Sequence, residues 1–101
     1  MFNIIARKTL MEYCNDYPSA KRALIAWYLE IHKSSFNNLN ELKLRYPNAS
    51  IIGDERVIFN IMGNEYRLIT RIIFQFKTIQ IKWFGRHDDY NQIDALTVKP
   101  K

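Results

Sequence analysis

The chain has 101 residues, enough for one hydrophobic core, so we predict a single domain over residues 1–101 and exclude multidomain machinery. Hydrophobic residues make up 48% and charged residues 25% of the sequence, a composition that can bury a core and is not that of a disordered chain. The net charge is +5, which favours an anionic partner such as RNA, DNA or an acidic protein.

Cysteine and histidine are sparse. Cys14 is the only cysteine, so an intramolecular disulfide is impossible and a cysteine-based metal site is disfavoured. His32 and His87 do not have the spacing typical of metal ligands. We therefore expect neither a metal nor another cofactor.

The sequence shows no targeting or membrane segment. Residues 1–8 lack a basic stretch followed by a long apolar run, and no apolar run approaches the roughly 18 residues of a membrane span. We therefore expect a soluble cytoplasmic protein without a membrane partner.

The first half of the chain follows a helical period. A short apolar run at residues 2–6 predicts a strand, and a helix that ends before Pro18 has an apolar face: Leu10, Tyr13, Cys14 and Tyr17. A second helix, with Ser19 as its predicted N-cap, carries an apolar stripe of the same spacing: Ala20, Ala23, Leu24, Trp27, Tyr28 and Ile31. Residues 34–40 are predicted to be a loop, and residues 41–46 a helical turn.

From Ser50 onward the hydrophobic pattern has a period of two. It predicts strands at residues 56–61, 66–76 and 79–85, with a weaker one at residues 50–52. Connections this short require antiparallel pairing. A four-residue turn would place Ile61 opposite Tyr66, and a tight turn at Lys77 and Thr78 would place Ile72 opposite Trp83.

These elements predict an α+β domain of two layers, in which the N-terminal helices pack on one side of an antiparallel sheet. The other side of the sheet would stay open. It would carry a set of basic, aromatic and amide side chains suited to a phosphate backbone with a stacked base: Arg56, Asn60, Arg67, Arg71, Lys82, Phe84 and Arg86. The alternative interpretation is a solvated basic surface without a ligand.

The end of the last predicted strand carries groups that can perform acid–base chemistry. His87 can give or take a proton near neutral pH, and Arg86 with Arg67 can stabilise charge on a phosphate. These groups suffice for RNA cleavage without a metal. Alternatively, His87 is a surface or capping residue and Tyr90 packs in a short terminal helix.

Two segments resemble a known family. Residues 59–69 read Phe-Asn-Ile-Met-Gly-Asn-Glu-Tyr-Arg-Leu-Ile, and residues 85–95 read Gly-Arg-His-Asp-Asp-Tyr-Asn-Gln-Ile-Asp-Ala. Both resemble HigB toxins of the RelE-like superfamily. The resemblance implies helices over an antiparallel sheet, and a type II toxin that cleaves mRNA on the ribosome. It also implies a HigA-like helix-turn-helix antitoxin as partner.

The resemblance also implies roles for three residues. Arg67 stands in the Tyr-Arg-Leu element, whose arginine contacts the scissile phosphate in RelE-like toxins. His87 and Tyr90 match a His-x-x-Tyr pattern, which implies that His87 is the general acid or base and Tyr90 an orienting or proton-transferring partner. The sequence has Ile58 and Asn60 where RelE-like toxins carry a lysine pair, so a lysine base does not transfer.

We therefore predict an endoribonuclease toxin. Two other classes of protein fit the same basic surface: a non-catalytic module that binds RNA or DNA, and a domain that binds only an acidic protein.

Overall fold

The computed structural model describes residues 1–5 and 7–99. Ala6, the last residue of the first predicted strand, lies outside them. Helices and strands follow one another in the order β1 (Asn3–Ile5), α1 (Arg7–Asp16), a 3₁₀ turn (Pro18–Ala20), α2 (Lys21–Lys33), α3 (Leu39–Arg45), β2 (Ser50–Ile51), β3 (Arg56–Ile61), β4 (Tyr66–Ile73), a second 3₁₀ turn (Phe74–Phe76), β5 (Thr78–Arg86) and α4 (His87–Tyr90).

Within the described residues, five strands form one sheet in the order β1-β5-β4-β3-β2. The predicted α+β class is confirmed. The sheet is mixed, whereas we predicted antiparallel pairing throughout: the β2–β3, β3–β4 and β4–β5 pairs are antiparallel, but β1 runs parallel to β5. The difference arises because β1 is separated from β5 by most of the chain, so no short connection constrains its direction.

The first predicted register is confirmed. Ile61 lies opposite Tyr66, and Phe59 opposite Leu68. The apolar sides of both strands therefore coincide and face the helices, where a continuous core includes Leu24, Trp27, Ile31, Val57, Ile72, Ile79 and Ile81. The β3–β4 hairpin sets this register because the length of its four-residue turn fixes which residues of the two strands pair.

The second predicted register is wrong. The chain turns through the 3₁₀ segment Phe74–Phe76 and through Lys77, whose φ of 48° is left-handed, so Ile72 lies opposite Ile79 and not opposite Trp83. The pairing then shifts by one residue between Ile69 and Thr70, which leaves Lys82 as the extra residue of a bulge. Because side chains alternate along a strand, each residue of β5 after the bulge points to the side opposite to the one predicted.

The helix boundaries depart from prediction at α2 and at α3, which spans Leu39–Arg45 and so begins inside the segment predicted as a loop. Ser19 is not the N-cap of α2, because it lies inside the 3₁₀ turn Pro18–Ala20 that leads directly into the helix. Asn38 caps α3, where its side chain accepts a hydrogen bond from the backbone of Glu41 at 2.9 Å. No helix within residues 1–5 and 7–99 is long and apolar enough to cross a membrane.

Candidate nucleic-acid interface

The side of the sheet that faces away from the helices is organised in three rows that cross β3, β4 and β5. The first row is Asn60, Arg67 and Gly85; the second is Ile58, Ile69 and Trp83; the third is Arg56, Arg71 and Gln80. The second row is apolar, and Ile58 and Ile69 are buried. The predicted continuous basic surface is therefore split into two ends by an apolar centre.

We predicted that this side of the sheet is open, but its Arg56 end is covered by the C-terminal segment of the same chain. The guanidinium of Arg56 donates hydrogen bonds to the backbone carbonyls of Ala95 (2.8 Å) and Val98 (2.9 Å), so the C-terminal segment, residues 91–99, packs against the Arg56 end of the third row. Arg56 is only 4% exposed. The prediction that Arg56 contacts RNA is wrong, because the side chain is buried and its Nη1 atom donates to two backbone carbonyls of the same chain.

We expect that removing the Arg56 guanidinium will release the C-terminal segment. Arg56→Gln should lower the free energy of unfolding by about 1.5–3 kcal/mol, the usual contribution of a hydrogen bond to a charged group, and should speed amide exchange at residues 94–98. Hydrogen exchange with mass spectrometry measures both effects, with the exposed Arg22→Gln as control. Unchanged exchange at residues 94–98 would contradict the anchoring role.

The third row is also partly neutralised. Arg71 donates to the Glu55 carboxylate at 2.7 Å and lies 3.9 Å from that of Asp54. Burial, followed by repulsion from Arg56 and Arg71, lowers the pKa of Lys82. The positive groups Arg71 and Lys82 are thus close together, but Arg71 already has carboxylate partners.

The first row carries the arginine that the sequence favoured. The guanidinium of Arg67 donates to the side-chain oxygen of Asn64 at 2.7 Å and to its backbone carbonyl at 3.2 Å. The β3–β4 turn therefore fixes the orientation of this half-buried arginine. Sequence reasoning missed Asn64 as a positioning residue, although its place beside Gly63 in a tight turn near Arg67 was a usable signal.

His87 lies at the same end of the sheet as Arg67. Its backbone N–H donates to the carbonyl of Glu65 at 2.9 Å, and Arg67 lies opposite Gly85, two residues before it. The imidazole is half-buried, and its Nδ1 atom is buried without a hydrogen-bond partner among the described residues. The fold therefore places Arg67, whose guanidinium can bind a phosphate, near His87, whose imidazole can transfer a proton.

Tyr90 packs beside the apolar second row. Its ring centroid lies 6.3 Å from that of Trp83. The Trp83 ring in turn covers Gly85 so closely that a Cβ atom built on Gly85 would lie 2.6 Å from it. Glycine is needed at position 85 because the indole occupies the space of a side chain.

Two predicted contacts lie on the helix side of β5. Phe84 is 2% exposed, and its ring stacks on that of Tyr66 with a centroid distance of 5.3 Å. The prediction that Phe84 stacks on RNA is therefore wrong. The bulge at Lys82 reverses the direction of the Phe84 side chain, which points into the core. The guanidinium of Arg86 lies over the ring of Tyr66, at 5.7 Å. Arg86 is exposed, but at the strand end it belongs to the side opposite to Arg67.

The chain is a small α+β domain with a basic end of its sheet, and comparison of its sequence with known families identifies the family. Residues 20–93 match the HigB toxin family, described as the RelE-like toxic component of a toxin–antitoxin system. The chain belongs to this family.

Relatives agree over nearly the whole length. The chain is 27% identical over 96 residues to the mRNA interferase toxin HigB of Escherichia coli K12, covering 93% of this chain and 92% of that protein. It is 25% identical over 93 residues to an mRNA interferase HigB of Escherichia coli O6:H1, covering 90% of each. The predicted family is confirmed.

Proposed function

We propose that this toxin is an mRNA interferase, an endoribonuclease that inhibits translation by cutting mRNA. The observation that carries the proposal is the family match together with the proximity of Arg67 and His87 at one end of the sheet. The relatives named as mRNA interferases support the substrate class. The position of Asn60 opposite Arg67 adds an amide to the same row.

The proposed reaction needs two proton transfers and one stabilised charge. A base removes the proton of a ribose 2′-OH, and the 2′ oxygen attacks the adjacent phosphorus. The bond from phosphorus to the 5′ oxygen breaks, an acid protonates that oxygen, and the products are a cyclic 2′,3′-phosphate and a 5′-hydroxyl. The Arg67 guanidinium stabilises the charge on the phosphate oxygens in between.

His87 is the proposed proton-transfer group. An imidazole can act as acid or base near neutral pH without strong tuning. With Nδ1 buried, the Nε2 atom is the nitrogen proposed to exchange a proton with RNA. Tyr90, three residues further along α4, is proposed to orient the substrate or relay a proton. Arg71, Lys82 and Arg86 are proposed to contribute attraction to RNA outside the reaction centre.

The proposed setting follows from the family resemblance. We propose that the toxin acts in the cytoplasm on mRNA bound to ribosomes, and that a HigA-like helix-turn-helix antitoxin neutralises it. The net charge of +5 supports attraction to ribosomal RNA, and added salt should weaken that attraction.

Cleavage by the Arg67→Ala variant tests the proposal. We expect cleavage of mRNA, with and without ribosomes, to be slower by about a hundredfold, because one preorganised donor to the developing charge is lost. Arg67→Lys should recover part of the rate. Rates are measured from single-turnover time courses of product with a 5′-hydroxyl, with the exposed Arg22→Ala as the matched control.

Two results would contradict the proposal. Wild-type protein that binds RNA but yields no cut under either condition would favour a non-catalytic binding module. Cleavage by Arg67→Ala within threefold of the wild-type rate would remove Arg67 from the reaction centre.

A further inference from the structure

The indole of Trp83 extends from the second row of the sheet into the first. Trp83 pairs with Ile69, so its side chain lies on the side of the sheet that carries Arg67. Three atoms of its benzene ring, Cη2, Cζ2 and Cζ3, lie 2.6, 2.7 and 3.4 Å from the position that a Cβ atom on Gly85 would occupy. The indole therefore fills the place of the side chain that Gly85 lacks.

This position is next to that of the proposed phosphate ligand. Gly85 lies directly opposite Arg67, and neighbouring strands of a sheet are about 4.8 Å apart. On the other flank of Arg67, Asn60 lies opposite it in β3. Across the first row, the protein therefore presents an amide, a guanidinium and an indole from three consecutive strands.

The indole is covered only in part. Trp83 and Tyr90 are both half-buried, whereas Trp27 is 5% exposed and belongs to the core. The rings of Trp83 and Tyr90 have a centroid distance of 6.3 Å and are tilted by 53° to each other. Because the two rings are not parallel, Tyr90 does not cover the face of the indole as a stacked ring would.

The charges around the indole favour one orientation of a bound nucleotide. On the side of α1, the indole borders a hollow of about 140 Å³ that is also lined by Glu12, Asp16 and Lys99. The two carboxylates repel a phosphate, whereas the guanidinium of Arg67 attracts one. The phosphate is therefore favoured at Arg67 and the uncharged base at the indole.

We infer that Trp83 is the stacking surface for the base of a nucleotide next to the scissile phosphate, with Tyr90 beside that base. The inference rests on the proposed function and adds a base-binding residue to it. Aromatic side chains are the surfaces on which proteins stack unpaired RNA bases, and stacking tolerates any base because each has a π face. Trp83 thus contributes affinity and positioning in place of base selection.

Removal of single bases from the RNA tests the inference. The wild-type cut site in an oligoribonucleotide is mapped first, and the same RNA is then made with a 2′-deoxyribose at the cut, so that it binds without being cleaved. Abasic versions lack one base on either side of the cut. We expect one of them to bind the wild type more weakly by about 5- to 150-fold, the usual effect of losing a stacked base.

Trp83→Leu should abolish this dependence on the base. The variant keeps an apolar side chain beside Gly85, and its affinities for the intact and the abasic RNA should agree within about twofold. Thermal unfolding shows whether the variant is folded. Phe76→Leu is the matched control, because it replaces a ring that is 69% exposed in the turn before β5, and it should keep the wild-type base dependence.

Tryptophan fluorescence is a second measurement, and it uses the wild-type protein. A base stacked on an indole quenches its emission, and the chain has two tryptophans, of which Trp27 is in the core. Emission should fall when the intact RNA binds and stay nearly constant when the abasic RNA binds. In Trp83→Phe, where Trp27 is the remaining indole, neither RNA should change the emission.

The outcomes separate the two proposals. Failure of the wild type to cleave RNA would overturn the proposed function and the base site that rests on it. Cleavage combined with a base dependence that folded Trp83→Leu retains, or with equal emission in the presence of intact and abasic RNA, would overturn the base site alone. A Trp83→Leu variant that retains the base dependence but loses binding to the antitoxin would assign the indole to a protein partner, which equally overturns the inference.

Discussion

His87→Ala is expected to slow mRNA cleavage by about 10²- to 10⁴-fold and to leave RNA affinity within about twofold, because the imidazole moves protons in the reaction and contributes little to attraction. The proposed chemistry needs one group that titrates near neutrality, and His87 lies close to Arg67 through the hydrogen bond between its backbone N–H and the Glu65 carbonyl. Single-turnover cleavage and filter binding on the same RNA measure the two quantities separately.

A second histidine provides the control. The Nδ1 atom of His32, in the last turn of α2, lies 2.8 Å from the carbonyl oxygen of Phe2. His32 has no role in the proposed reaction. His32→Gln should therefore retain the wild-type cleavage rate once the protein is folded. Cleavage by His87→Ala within threefold of wild type would place the proton transfer on another residue, while loss of RNA binding would indicate a structural role.

Phe84→Ala is expected to lower the free energy of unfolding by about 3–5 kcal/mol, the cost of removing a large aromatic side chain from a packed core. Phe84 is 2% exposed, stacks on Tyr66 and meets the edge of Tyr17 at 5.5 Å. Urea unfolding at equilibrium measures the change, since a domain of this size generally unfolds in one cooperative step.

Phe76 is the matched control for Phe84. It is 69% exposed and lies in the 3₁₀ turn before β5, at the end of the segment 66–76 that we predicted to be a strand. Phe76→Ala should change the free energy of unfolding by no more than about 0.5 kcal/mol. Equal losses from both variants, or a loss of RNA affinity without a loss of stability in Phe84→Ala, would contradict the observed register.

The two hairpins explain where sequence reasoning succeeded. The β3–β4 turn joins strands whose alternating patterns both end at the turn, so only one register buries both apolar sides. The β4–β5 connection has no such constraint, since β4 ends early, Lys77 adopts a left-handed conformation and Lys82 is accommodated as a bulge. Nothing in the local alternation of residues 78–86 marks that extra residue.

The same difference between local and distant constraints applies to the residues of the candidate site. The family strings led to Arg67, His87 and Tyr90 directly, and Asn60 followed from the first register. Arg56 and Phe84 were misassigned because their surroundings depend on distant parts of the chain, Arg56 on carbonyls about 40 residues away and Phe84 on α1 and Tyr66. The buried indole N–H of Trp27, which has no acceptor among the described residues, was not predictable either, since helical spacing shows only that the ring faces the core.

The amino-acid sequence by itself determined the helical first half, the strand positions, the pairing of β3 with β4 and membership of the toxin family, because hydrophobic period and turn length act over a few residues. Only the tertiary structure decided which side chains of β5 face the helices and whether the far side of the sheet is exposed. One inserted residue reverses every side chain that follows it in a strand, and burial by the C-terminal segment depends on contacts that no local pattern encodes.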